Sequence, residues 1–97
     1  MAEVEITTKN DAMAILKAAN EDAPRERLIF YADCFCEYAE ATENIERNGV
    51  IVANPRTGAP MQNPYLTVRE RAMAKLKPMM RRINGDALWA KIDVLTD

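Results

Sequence analysis

Ninety-seven residues, 48% hydrophobic and 29% charged, suit one small globular domain and are too apolar for a disordered chain. Histidine is absent and cysteine occurs twice, which removes most routes to metal sites and to Cys/His nucleophilic catalysis. The net charge of −2 hides a segregation: residues 1–48 carry 5 basic and 11 acidic side chains, residues 49–83 carry 7 and 1, and residues 84–97 carry 1 and 3.

No apolar run approaches the roughly 18–20 residues that cross a bilayer, and the start, MAEVEITT, has no charged-then-apolar signal pattern. The expectation is a cytoplasmic protein with no membrane contact. A chain of this size leaves much surface uncovered, so self-association would help it.

Met1 to Thr8 carries no pattern and is expected to fray. From Asn10 to Asn20 the spacing predicts a short helix, capped by Thr8 or Asn10, with Met13, Ile15, Leu16 and Ala19 apolar. Ala23-Pro24 restarts the chain, with Asp22 as the candidate N-cap. A long helix then runs to Asn48-Gly49, where glycine suits the residue just past a helix end.

The apolar stripe of that helix is Leu28, Tyr31, Phe35, Tyr38, Thr42 and Ile45, flanked by Ile29, Ala32, Cys36 and Ala39. So wide a sector lets one face meet its own chain and the other a neighbour, which makes Leu28, Tyr31, Phe35 and Tyr38 oligomerisation candidates. Cys34 and Cys36 point about 200° apart on a helix, so packed thiols are expected rather than a mutual disulfide. Glu37, Glu40, Glu43 and Glu46 form an acidic edge, either solvated or pairing with a basic helix of the same or an adjacent subunit.

Val50-Ile51-Val52 reads as a short strand and Pro55-Arg56-Thr57-Gly58 as a turn, so the connector is expected to be either a proline- and glycine-rich loop or a small hairpin over 50–62. With one glycine and no Gly-Lys-Ser/Thr, this loop is not a phosphate cradle. Asn54-Pro55 and Asn63-Pro64 bracket it, and Asn63 can cap a helix whose first residue is Pro64. Thr67 to Glu70 has the spacing of a later, alternative capping box.

The following helix, Tyr65 to Ile83, has an apolar stripe of Leu66, Met73, Leu76, Met80 and Ile83, with Ala72 and Met79 beside it. Pro78 should kink or divide it. Arg69, Arg71, Lys75, Lys77, Arg81 and Arg82 stand against Glu70 alone, either as a solvated face balanced by the acidic helix or as a surface that follows phosphates without reading bases. A last helix starts at Asp86, with Leu88, Trp89 and Ile92 apolar and the tryptophan as a packing lid. The fold expected is mainly α: an antiparallel helical hairpin, about 24–48 and 64–83, with short helices at each end. With no histidine, no paired carboxylates in an apolar setting and no glycine-rich loop, neither an enzyme nor a cofactor or metal site is expected.

The Gly-Val-Ile-Val step at 49–52, the Pro-Arg-Thr-Gly-Ala-Pro turn at 55–60, and Gln62-Asn63-Pro64-Tyr65-Leu66 running into a basic helix with Ala72-Met73 resemble the small subunit of tailed-phage terminases over residues 49–76. The resemblance implies a DNA-packaging factor that forms a homo-oligomeric ring in the bacterial host cytoplasm. It would bind double-stranded phage DNA and recruit or regulate the large subunit, which owns the ATPase and nuclease. It places Leu66, Met73 and Leu76 in the ring-forming core and makes Arg69, Arg71, Lys75, Lys77, Arg81 and Arg82 the candidates for DNA contact. A shorter segment ahead of the first helix than in many relatives, and a C-terminus without their leucine-threonine-proline-like continuation, put the assembly role ahead of DNA recognition. The rival reading is a helical regulatory module whose basic helix docks an acidic protein partner.

Overall fold

The computed structural model describes residues 9–96, with side chains through Lys91. The expectations for residues 1–8, for a Thr8 cap and for the Ile92 side chain fall outside that range. In order come α1 (Lys9–Ala19), α2 (Arg25–Asn48), β1 (Ile51–Ala53), β2 (Pro60–Gln62), α3 (Tyr65–Leu76), a 3₁₀ turn (Lys77–Met79) and α4 (Asp86–Thr96). The mainly helical fold with α2 packed on α3 is as expected from the sequence.

Several boundaries differ in detail. Asn10 lies in the first turn of α1 and not ahead of it. Pro24, and not Asp22, precedes α2, and its carbonyl accepts from the amides of Arg27 and Leu28. Thr67 lies inside the first turn of α3, donating its amide to Pro64, so no capping box forms there. At the far end, Pro78 divides the basic helix: α3 stops at Leu76 and a 3₁₀ turn takes the chain to Met79.

The hairpin pairs Ile51 with Gln62, Val52 with Met61 and Ala53 with Pro60, antiparallel. Its six-residue loop is set by Asn54, whose Oδ1 accepts from the amides of Arg56 (2.8 Å) and Thr57 (3.3 Å). Gly58, at φ 73°, supplies the left-handed step that returns the chain.

Helix α2, at 24 residues about 36 Å long, is the spine. Helices α1 and α4 cover its N-terminal part: Lys9 pairs with Asp33 at 3.0 Å, and Trp89 packs edge-on against Phe35 (5.1 Å) and Tyr38 (5.2 Å). Its C-terminal part is covered by α3, which runs back along it from Asn63, bonded to Asn44 and Gly49, toward Cys34, close enough for Lys75 to act on its thiol. The core gathers Ala12, Leu16, Leu28, Tyr31, Phe35, Leu76, Ile83 and Leu88 from all four of these helices and the turn between them. The end of α1 is tied to the turn before α4 by Asn20, whose Oδ1 accepts from the Asn84 amide (2.7 Å) while its Nδ2 donates to the Asn84 carbonyl (2.9 Å).

Candidate nucleic-acid interface

Helix α3 is the element on which the cations are hung, and Asn63 fixes its start. The side chain is buried, with Oδ1 accepting from the Tyr65 amide (3.0 Å) and Nδ2 donating to the Gly49 carbonyl (2.9 Å) and Asn44 Oδ1 (3.1 Å). Its amide donates to the Val50 carbonyl at 2.7 Å. One asparagine therefore caps α3, closes the base of the hairpin and fastens both to the end of α2. Gly49, at φ 90°, makes this possible by turning the chain out of α2 where a side chain would be strained.

With that start fixed, helical geometry distributes the charges. At about 100° per residue, Arg69 falls within about 20° of Leu76, in the stripe that faces α2, and it is half-buried. Arg71 and Lys75, about 40° apart, share an exposed face. Lys77 begins the 3₁₀ turn, and Arg81 and Arg82 follow that turn, both exposed. The six cations thus form no single row: Arg69 and the Arg71–Lys75 pair already lie on different faces of α3, and Pro78 breaks the helix between Lys77 and Arg81.

No carboxylate among the described residues forms an ion pair with them. Among the described residues the ion pairs are Lys9 with Asp33 and Arg47 with Glu43, and no pair joins Glu37, Glu40, Glu43 or Glu46 of α2 to α3 or to the turn after it. The acidic seam within one chain, one of the sequence readings, is therefore not formed. Lys75 is felt only at a distance. Burial pushes the Cys34 thiol above its ordinary value, Lys75 opposes that, and Glu37 and Asp33 add to it.

The residues offered for self-association have other occupations. Leu28, Tyr31, Phe35 and Leu76 are buried in the chain's own core, Tyr38 packs on Trp89, and Leu66 and Met73 are half-buried. Met80, expected on the stripe with Leu76, is instead 40% exposed. Among the described residues, the large apolar side chains most open to solvent are Phe30 (46%), Val50 (53%), Ile51 (60%) and Met80. Phe30 stands outside the stripe that the sequence reading followed; its only signal was an aromatic among acidic neighbours. Also unforeseen is a groove of about 650 Å³ between the turn that follows the 3₁₀ segment and α4, lined by the apolar side chains of Met73, Met80 and Trp89 with Tyr31, and by the charged side chains of Arg81, Arg82 and Asp86.

No helix among the described residues is long and apolar enough to cross a membrane, and they hold no group of three or more His, Cys, Asp or Glu placed to bind a metal. No curated protein and no solved structure matches the chain. Against known protein families, the one described as phage terminase, small subunit, matches residues 5–83, a span that takes in α1, α2, the hairpin, α3 and the turn carrying Arg81 and Arg82. The chain belongs to the phage terminase small-subunit family, whose role is in phage DNA packaging.

Proposed function

We propose that the chain assembles with copies of itself into a ring, holds double-stranded phage DNA on its cationic surface and presents it to the large terminase subunit in the host cytoplasm. The observation that carries the reading is the set of cations from Arg69 to Arg82 left without a carboxylate ion-pair partner among the described residues. Concentrated unneutralised charge repels itself, and a phosphate backbone relieves that repulsion while releasing its own counterions. Arg71 and Lys75, exposed on one face, lead the contact; Lys77, Arg81 and Arg82 extend it, and half-buried Arg69 supports it from the inner stripe. Contacts of this kind position DNA without reading its sequence. The nucleotide and nuclease chemistry is left to the large subunit. Exposed Phe30, Val50, Ile51 and Met80 supply apolar surface for protein contacts.

The test is duplex binding measured against salt on protein whose assembled mass has been fixed by light scattering. Binding should weaken linearly in log salt, with a slope of about −0.9 for each phosphate engaged. An assembled protein that ignores duplex DNA at every ionic strength would overturn the DNA-holding role and favour an acidic protein partner on the same cations.

A further inference from the structure

The groove bordered by Arg81 and Arg82 has a complement elsewhere on the same molecule. Its floor, made by Tyr31, Met73, Met80 and Trp89, is apolar. Its volume of about 650 Å³ lies within the usual span for sites that bury a large apolar group. Methionine lets such a floor adapt to an aromatic ring.

Phe30 is the one aromatic ring that the fold leaves largely in solvent, 46% exposed among the described residues. Around it on α2 stand Glu26, Asp33 and Glu37, all within about 60° on the helical wheel. Asp33 is engaged by Lys9 at 3.0 Å, whereas Glu26 and Glu37 form no ion pair among the described residues. The knob is thus an aromatic ring flanked by carboxylates, and the groove is a largely apolar slot whose border carries two guanidinium groups, Arg81 and Arg82, against the one carboxylate of Asp86.

A molecule cannot satisfy itself. Phe30 lies about 100° round α2 from Tyr31, which floors the groove, and is not among the residues lining it. The ring-forming reading above is the ground for the next step. We propose that Phe30 of one copy seats in the Met73, Met80 and Trp89 groove of the next, with Glu26 and Glu37 meeting Arg81 and Arg82 at its border. Knob and groove are different patches of one surface, so the contact is head-to-tail and repeats from copy to copy, the arrangement that closes into a ring. An apolar anchor in a slot with a polar border is also the pattern in which a few side chains carry most of the binding. This seam takes Arg81 and Arg82 out of the DNA contact in the assembled ring and leaves Arg71, Lys75 and Lys77 to carry it.

The experiment measures the mass of the full chain by light scattering across concentration, with circular dichroism confirming the helical content of each variant. Phe30→Ala, the pair Arg81→Glu with Arg82→Glu, and the pair Glu26→Arg with Glu37→Arg all change exposed side chains. Each should weaken self-association by about tenfold or more. All four charge reversals in one chain should restore it. An assembled wild type whose three variants keep its mass overturns this contact and leaves the ring reading standing. Loss of mass in both charge-reversed pairs with no recovery in the fourfold variant overturns the pairing as well. A wild type that is monomeric at tens of micromolar removes the ring reading and this contact with it.

Discussion

The indole N–H of Trp89 donates to the hydroxyl of Tyr31 at 2.8 Å, joining α4 to α2 across 58 residues of chain. Gly85 lies under the same hydroxyl: a Cβ at that position would stand 2.3 Å from the Tyr31 oxygen and 2.8 Å from Cζ. The turn before α4 needs a glycine here for space. Gly85→Ala should therefore cost about 1–3 kcal/mol by overpacking. Tyr31→Phe should cost about 1 kcal/mol through the lost hydrogen bond. Because removal of the hydroxyl relieves part of the clash, the double variant should lose less than the sum, which urea unfolding of the four proteins would measure. Full additivity would show that the glycine and the hydroxyl do not compete for the same space.

Alkaline pH should loosen the same region. Burial pushes the Tyr31 hydroxyl above its ordinary 10.0, the Trp89 hydrogen bond works against this, and Asp86 adds to it. Burial likewise raises the Cys34 and Cys36 thiols above 9.0, and Asp33 adds to the effect on Cys36. The folded protein holds these protons more tightly than the unfolded chain, so their contribution is fully present below the ordinary values and is lost as pH rises through the raised ones. Melting temperature should start to fall above about pH 9. Replacing both thiols by serine and Tyr31 by phenylalanine should flatten that fall; an unchanged profile would remove these groups as its cause.

Asn63 should be among the costliest polar positions. Asn63→Ala removes the cap on α3 and leaves the Gly49 carbonyl without its donor, which together should cost about 2–3 kcal/mol. Asn63→Asp keeps the cap acceptor and loses only the two donated bonds. Its urea midpoint should fall between those of wild type and the alanine variant.

The cations of α3 should separate by face. Arg71→Ala with Lys75→Ala should reduce the salt slope of DNA binding by about two for each subunit engaged, with stability unchanged. Arg69→Ala removes a half-buried stem from the α2-facing stripe, so it should register in the melting temperature more than in the slope. Equal effects of the two variants on both readouts would refute this division.

Phe35 and Phe30 give the sharpest contrast between what the sequence suggested and what the fold does with it. Both are aromatic residues on α2, and helical periodicity put Phe35 on a stripe wide enough to suggest a neighbouring subunit. The fold spends that width internally, because α1, α3 and α4 take different sides of one helix. Phe35→Ala should accordingly cost about 3–5 kcal/mol of folding stability, read by thermal melting, instead of reporting on assembly alone. Legible beforehand were the X-Pro helix starts, the turn within 50–62 and the excess of charge on 49–83, all of which depend on near neighbours in sequence. The groove and the Asn20 to Asn84 tie depend on where α4 docks, which local spacing does not encode; Pro78 was readable as a break in the basic helix, but not the direction in which Arg81 and Arg82 leave it.

The tie between Asn20 and Asn84 spans 64 residues and so bears on the order in which the chain can be completed. During synthesis, α1 and the first turns of α2 emerge long before their covering helix exists. Until Trp89 has left the ribosome, Phe35 and Tyr38 have no edge-on partner and Tyr31 has no donor for its hydroxyl. A nascent or truncated chain ending before that point presents these aromatic rings uncovered, the kind of surface that chaperones hold and that drives premature association. The start of α4, down to Trp89, thus decides when the first helices become safe to leave unattended.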